Sequence, residues 1–441
     1  MTPLNLSQVQ FTDTADKVYS DSGIFNPAYS DVKTLKGADE LIGNDSINSD
    51  FGFGVFVGVT AENANAITSA DLSSKATVNT NGIHNKGSIR TNEGRDIVRG
   101  TATAKIAAIA QTVSEAIAYA DRLDTSAIAD TFAAINIQAV ANGIKNSGEI
   151  RTGQGSDTID SEVEASIAAV ATATADATAI VEAIAKAPVS DNLTAFAGAI
   201  AQSLAQATIT ATGIQNIGGK IGTGRGADTI SATATSYSAT YAQASAGTVS
   251  SATPENQALA KAVAQAIAIA EDKAIAIDNT QGEINLGLGL DTIKATANAS
   301  DKAIAIKNTQ GIIRTGEGAD VIQAYATGLD SYGIFGGTIE TGDGADSVEA
   351  SSFGGNVNID MGDGKDFVKG FGDAIIDGGR GFDILSLESY NIDDFNISLG
   401  ANNNKVIFER NDITMTTTRF EQFNFNSGSL ILTYDELVAT L

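Results

Sequence analysis

Gly153-Gln154-Gly155-Ser156-Asp157-Thr158-Ile159 decides how the rest of the chain is read. The same phrase, Gly-x-Gly-x-Asp followed by an apolar strand-forming residue, returns from Gly224, Gly287, Gly316, Gly342, Gly362 and Gly379. A degenerate copy, Asn92 to Val98, precedes them. So many copies with the aspartate in a fixed place exceed what composition produces, and they mark a repeat protein whose repeats carry a ligand-type carboxylate. Glycine at alternate positions lets the backbone take positive φ and turn sharply, with carbonyls and amides facing a common point. The aspartate adds a hard anionic oxygen there, and the apolar residue that follows starts a strand whose side chain points into a core. Hard oxygen donors without sulfur or imidazole suit calcium.

The phrase resembles the calcium-binding nonapeptide of RTX, or haemolysin-type, proteins, Gly-Gly-x-Gly-x-Asp-x-U-x, whose tandem copies build a parallel β-roll. Gly378-Gly379-Arg380-Gly381-Phe382-Asp383-Ile384-Leu385-Ser386 matches all of it. The other copies carry Thr152, Thr223, Leu286, Thr315, Thr341 or Met361 at the first glycine, a position that contributes a carbonyl in that family. The copies are also separated along the chain rather than contiguous. The resemblance implies an all-β fold, a parallel β-solenoid of the β-roll or β-helix kind, with calcium as its cofactor.

Acid content orders the candidate metal sites. Glu317, Asp343 and Asp363 at the third motif position add charge beside Asp320, Asp346 and Asp366, whereas Arg225, Leu288 and Arg380 stand there in other copies. The first candidates are therefore Asp320, Asp346, Asp366 and Asp383, with one ion shared between stacked turns. Asp157, Asp228 and Asp291 follow. The competing reading is that the aspartates only cap turns by accepting backbone N–H bonds.

Composition fits a solenoid better than a globule. The 441 residues include 45 Gly, 4 Pro, no Trp, no Cys and only 6% aromatics, so large side chains for one deep core are few. A solenoid needs none, because each rung buries small and β-branched residues against its neighbours. The net charge of −26, from 53 acidic and 27 basic residues, repels nucleic acid and anionic lipid. It favours cation binding or an extracellular life.

A second element precedes each turn. Asn85, Asn146, Asn216, Asn279 and Asn308 each stand 11 or 12 residues before a motif aspartate. The unit is strand, Asn/Gly turn, short strand, Gly/Asp turn, strand. Stacked rungs would align the asparagines into a hydrogen-bonded ladder, and isolated Asx-turns are the alternative.

Intervals between motif aspartates run 61, 71, 63, 29, 26, 20 and 17 residues from Asp96 to Asp383. The spacing divides the chain into an N-terminal cap with a degenerate repeat (1–50), a wide-rung Ala-rich solenoid (51–275), a narrow roll (276–386) and a C-terminal cap (387–441). Within the wide part, Lys273-Ala274-Ile275-Ala276-Ile277-Asp278 alternates as a strand does. Thr253-Pro254-Glu255 instead reads as a helix start ahead of Gln257 to Glu271, and Ser190 or Asp191 as a cap for a helix through Leu204. Short helices or long β-arcs inserted in the N-terminal half are the expectation. In the cap at the start, Leu35 to Asp45 resembles a degenerate roll turn.

The opening Met1-Thr2-Pro3-Leu4-Asn5-Leu6-Ser7 lacks the basic and apolar regions of a Sec signal, and no stretch is apolar enough to predict a transmembrane segment. RTX-like proteins leave Gram-negative cells through a type I exporter using an uncleaved C-terminal signal. The acidic and apolar tail from Phe420 to Leu441 is similar in character. This implies an extracellular or cell-surface location.

Enzymatic motifs are missing. The single histidine, His84, lacks a His-Glu-x-x-His context, so the protease domain that accompanies some RTX rolls is not found. Gly219-Lys220 is followed by Ile221 rather than Ser or Thr, and the Gly-x-Gly phrases precede strands, which removes phosphate-loop and dinucleotide readings. There is no cysteine and no Gly-x-Ser-x-Gly context. The expectation is a secreted calcium-binding β-solenoid with a structural or cell-surface role. The alternatives are a self-associating surface-layer or filament subunit, an adhesin for a surface glycan, or a carbohydrate-active enzyme built on carboxylates.

Overall fold

Alternation of small and polar residues runs through the Ala-rich stretches, and in the computed structural model it produces strands far longer than usual. The structure describes residues 2–12, 14–34, 37–62, 64–121, 125–182, 194–252, 257–387, 389–401 and 404–441. Eight long strands dominate, β1 (Glu40–Glu62), β2 (Ala66–Asn85), β3 (Ile97–Asp121), β4 (Thr125–Asn146), β5 (Thr158–Glu182), β6 (Thr194–Gln215), β7 (Thr229–Ala252) and β8 (Gln257–Asp278). Their 20 to 25 residues compare with about 5–6 in an ordinary strand.

All eight stack in parallel. β1, β3, β5 and β7 pair in that order in one sheet, so that Ile159 lies between Val98 and Ile230. β2, β4, β6 and β8 pair in the same way in the other. The fold is an all-β parallel solenoid, and each wide rung is one outgoing and one returning long strand. After the returning strand an Asn corner turns into a short strand, as at Glu149–Gln154, and a Gly/Asp turn then leads into the next rung.

Small residues set the thickness. Ala102, Ala104, Ala108 and Ala110 of β3 and Ala127, Ala129, Ala133 and Ala139 of β4 are buried on the inner faces. Facing strands therefore approach within 8 Å between Cα atoms, closer than the usual ~10 Å between packed sheets.

Beyond Asp278 the rungs shorten. Thr292–Asn298 and Lys302–Lys307 continue β7 and β8 with strands of 7 and 6 residues, and the sheet that continues β7 shortens further to the 4 residues of Ser347–Ala350 and the 3 of Phe367–Lys369. The last rung is covered by Ile413–Thr418, which pairs with Gly372–Asp377 in parallel and is followed outward by Val406–Arg410 and Asn396–Leu399 in antiparallel pairing. Phe371, Tyr390, Phe395, Phe408 and Phe425 form an aromatic cluster there, with ring centroids 5.0 to 6.3 Å apart. The ladder edge of the last rung is thereby closed.

The expected helices are corrected. Gln257 to Glu271 and the stretch through Leu204 are strands. Alanine is the best helix former, but here it occupies every second position. A helix would scatter those alanines around its axis. A strand gathers Ala260, Ala262, Ala264, Ala266 and Ala268 on one face, in register with Ala197, Ala199, Ala201, Ser203 and Ala205 of β6. The proposed caps Ser190, Asp191 and Thr253-Pro254-Glu255 lie outside the described residues, as do Leu35 and Lys36. Among the described residues the only α-helix is Tyr434–Thr440, and no helix is long and apolar enough to cross a membrane.

Candidate functional site

Rung stacking brings the motif aspartates into one buried column. The backbone N–H of each donates to Oδ1 of the next. Asp96 donates to Asp157 (2.9 Å), Asp157 to Asp228 (2.8 Å), Asp228 to Asp291 (2.9 Å) and Asp291 to Asp320 (2.8 Å). The series continues through Asp346 (2.8 Å), Asp366 (2.9 Å) and Asp383 (2.9 Å). It ends where Asp383 N–H meets Glu421 Oε2 at 2.8 Å. The site residues Asp157, Asp228, Asp291, Asp320, Asp346, Asp366 and Asp383 thus share one line, although the chain between neighbours varies more than fourfold in length.

Two members were not singled out as ligands. Asp96 comes from the degenerate phrase, and Asp39 donates to Asp96 Oδ1 at 2.8 Å from the Gly37-Ala38-Asp39 turn. The short Gly-x-Asp remnant was the available signal for Asp39. Nothing in the sequence marks Glu421.

The glycines are what allow the column. Gly318 has φ +144°, and a Cβ there would stand 1.4 Å from the Gly289 carbonyl oxygen of the rung below. Only glycine permits both the conformation and the approach.

Half of each carboxylate is satisfied and half is not. Oδ2 of Asp39, Asp96, Asp157, Asp228, Asp291, Asp320, Asp346, Asp366 and Asp383 is buried and has no hydrogen-bond partner among the described residues. Burial is the main cause of raised pKa values along the column, with neighbouring carboxylates adding to it for several members. Asp157, Asp346 and Asp383 are pushed up to about 6, and Asp291 and Asp366 to about 7. Asp96, Asp228 and Asp320 are raised as well, again chiefly by burial. The N–H donated to Oδ1 acts the other way at each.

Glu317, Asp343 and Asp363 stand outside the column and are exposed. They stack on successive rungs, Glu317 on Asp343 and Asp343 on Asp363, with Arg380 next in line and paired to Asp363 at 3.3 Å. Their charge still reaches inward, since Asp343 helps to raise Asp346 and Asp363 helps to raise Asp366.

Among the described residues no three His, Cys, Asp or Glu side chains converge on one point. A cation in the column would therefore take one or two carboxylates and complete its shell from backbone carbonyls. Calcium, with 6–8 oxygen ligands and a flexible geometry, accepts such a set. A threonine hydroxyl stands beside the carboxylates of Asp96, Asp157, Asp228, Asp320 and Asp346 and lowers their pKa, but its one proton goes to the next rung's carbonyl in the Thr152, Thr223 and Thr315 contacts, so the Oδ2 atoms fit that group as buried hard anionic oxygens without a hydrogen-bond partner.

The asparagines form a second ladder beside the aspartates, the first of the two arrangements that their spacing allows. Asn85 Nδ2 donates to Asn146 Oδ1 (2.7 Å), Asn146 to Asn216 (2.7 Å), Asn216 to Asn279 (2.7 Å) and Asn279 to Asn308 (2.8 Å). Asn26 starts it by donating to Asn85 at 2.8 Å. The threonines form a third ladder. The threonines at the first motif position are buried, and Thr152 donates its hydroxyl to the Thr223 carbonyl (3.1 Å), Thr223 to Leu286 (2.8 Å) and Thr315 to Thr341 (2.9 Å). Their departure from glycine adds a side-chain bond to each rung contact.

Other chemistry is sparse. His84 is partly buried against Phe25, with ring centroids 5.5 Å apart, and burial lowers its pKa. A groove over Arg151, Lys220, Gly222 and Asn285 holds the carboxylate Glu283, already paired with Lys220 and Arg314 at 3.1 Å each. No family model, no curated protein and no solved structure matches this chain.

Proposed function

We propose that this chain is a secreted calcium-binding β-solenoid with a structural or cell-surface role, whose Gly/Asp turns are stabilised by calcium. The observation that carries the reading is the column of buried aspartates, each with one oxygen left without a donor. A buried unpaired carboxylate is costly, and it either binds a proton or is neutralised by a cation. Near neutral pH outside a cell, millimolar-range calcium is the hard cation matched to oxygen-only donors. Asp320, Asp346, Asp366 and Asp383 would supply the first carboxylates, with Glu317, Asp343 and Asp363 enriching the local negative field. Asp157, Asp228 and Asp291 would act in the same way between the wide rungs.

Binding only to the folded stack would couple ion binding to folding. At low calcium and neutral pH the charged column opposes stacking. This suits passage through a type I exporter followed by folding outside.

The test is calcium titration of the metal-stripped chain, read by far-UV circular dichroism and repeated with magnesium. A calcium-specific gain of β signal supports the proposal. A fully folded chain indifferent to calcium and chelator would leave aspartates that only tie rungs together.

A further inference from the structure

The wide rungs end in a step. Beyond Thr235 of β7 and before Lys273 of β8, no strand among the described residues pairs with the outer edges of these two strands. The free edges run over Ser236–Ala252 and Gln257–Asp272, about 55 Å of backbone on each sheet at ordinary strand rise. The inner corner of the step is sealed by side chains. Asp272 Oδ2 accepts the Ser238 N–H at 2.9 Å, and Asp272 N–H donates to Asp301 Oδ2 at 2.9 Å.

Away from that corner the edge lacks the usual protection. Ser236–Ala252 contains no charged residue, and Gln257–Ala270 contains Lys261 alone. Charges, prolines and bulges are how soluble sheets prevent edge pairing. Leu259, Val263, Ile267 and Ile269 are exposed on the outer face, next to Ile200 of β6. The inward-facing alanines from Ala260 to Ala270 are exposed as well. The opposite end of the wide rungs differs. There Phe51, Phe53, Val55, Val57 and Val59 of β1 lie over the inner Ala-rich face, and Asp50, Glu62, Asp71 and Lys75 supply charge.

An occupant of the step must offer two long edges at the close spacing of these two sheets. A second copy of this chain offers them. Simple head-to-tail stacking would drive the narrow roll of one copy into the core of the next. Antiparallel pairing of β7 with β7 and β8 with β8 puts the two narrow rolls at opposite ends and removes that clash. We propose that the chain forms a two-fold homodimer through the free edges of β7 and β8, with the axis near their midpoints, Ala244 and Gln265. The arrangement is closed and isologous, so it ends at two copies. Lys261 then lies about 27 Å from its own symmetry mate, too far to oppose pairing strongly.

The test uses the full chain in calcium at pH 8 and in chelator at pH 5, two conditions in which the aspartate column is neutralised and the rungs are stacked; the step itself contains no motif aspartate. Light scattering after size exclusion should give twice the 45.1 kDa chain mass in both conditions. Ala264→Lys with Ala268→Lys, both at exposed edge positions, should give a monomer with unchanged circular dichroism, while Val59→Lys at the opposite end should leave the dimer intact. The chain has no cysteine, so Gln265→Cys alone should form a disulfide-linked dimer on oxidation and Leu259→Cys should not. The cysteine arm reads the dimer even where the lysine variant fails to fold. A monomer at every concentration overturns the proposal. So does a dimer that survives the lysine pair, or an open oligomer series abolished by Val59→Lys.

Discussion

The wide rungs and the narrow roll share corners but not the means by which they are held together. In the wide part each rung adds two strands of more than 20 residues, joined to the next rung by in-register pairing along their whole length. In the narrow part a rung adds strands of 3 to 8 residues, and the corners supply a much larger share of its contacts. The aspartate column runs through both at the same geometry. Its consequences therefore differ. A penalty spread over long strands in one region falls on a few short strands in the other, and ion binding should govern the narrow roll first.

Substitution of one glycine in each region breaks the comparison most sharply. Gly318→Ala places a Cβ 1.4 Å from the Gly289 oxygen at a positive φ, and should cost about 4 kcal/mol or more. Hydrogen exchange should show the rungs around residues 283–350 opening while β3 to β6 stay protected. Gly52→Ala on β1 meets nothing within 4 Å and should be neutral or stabilise by roughly 0.5–1 kcal/mol. Gly155→Ala, at a wide-rung corner with φ +136° and a Cβ 1.5 Å from the Gly94 oxygen, should open a smaller part of the stack than Gly318→Ala, and equal losses from these two would mean that the corners matter equally in the two regions.

Removing one rung of the asparagine ladder comes next. Asn216→Ala removes one of the acceptors of the Asn146 amide, which keeps the Lys220 and Gly148 carbonyls, and leaves the Asn279 side-chain oxygen without its donor, at a cost of about 1–3 kcal/mol. Denaturant unfolding should report the loss with calcium response unchanged. A changed calcium midpoint would tie the two ladders together.

Acid dependence sharpens the comparison further. Burial raises the folded-state pKa of Asp366 to about 7, above the ordinary carboxylate value. The folded stack then binds more protons than the unfolded chain between those values. Its contribution is fully present below about pH 4 and is lost as pH rises through about 7. Asp366→Asn should flatten the pH dependence of metal-free stability, with thermal melts at several pH values as the readout. The exposed carboxylates should matter least. Glu317→Gln should weaken calcium binding by a few-fold at low salt and less at high salt, since exposed charges are screened.

Much of this was legible in the chain. Period-two alternation, glycine spacing and the interval between aspartates were enough for a parallel solenoid with one carboxylate per turn. The helix propensity of alanine points to a helix over Gln257 to Glu271, but its alternation and the in-register neighbours on β6 make that stretch a strand. Three features had no local signal. Thr152 and its counterparts read as departures from a glycine consensus, because a hydroxyl that bonds the next rung's carbonyl is visible only once the rungs are stacked. Glu421 closes the aspartate column from 38 residues away. The step at β7 and β8 follows from where a rung shortens in space, which composition does not record.

Thermal unfolding of the metal-stripped chain at pH 5 and pH 8, with and without calcium, tests the central claim most directly. The account predicts a metal-free protein that is more stable at pH 5, and a calcium-induced rise in melting temperature that is large at pH 8 and small at pH 5, where protons already neutralise the column. Equal metal-free stability at the two pH values with no response to calcium at pH 8 would contradict it.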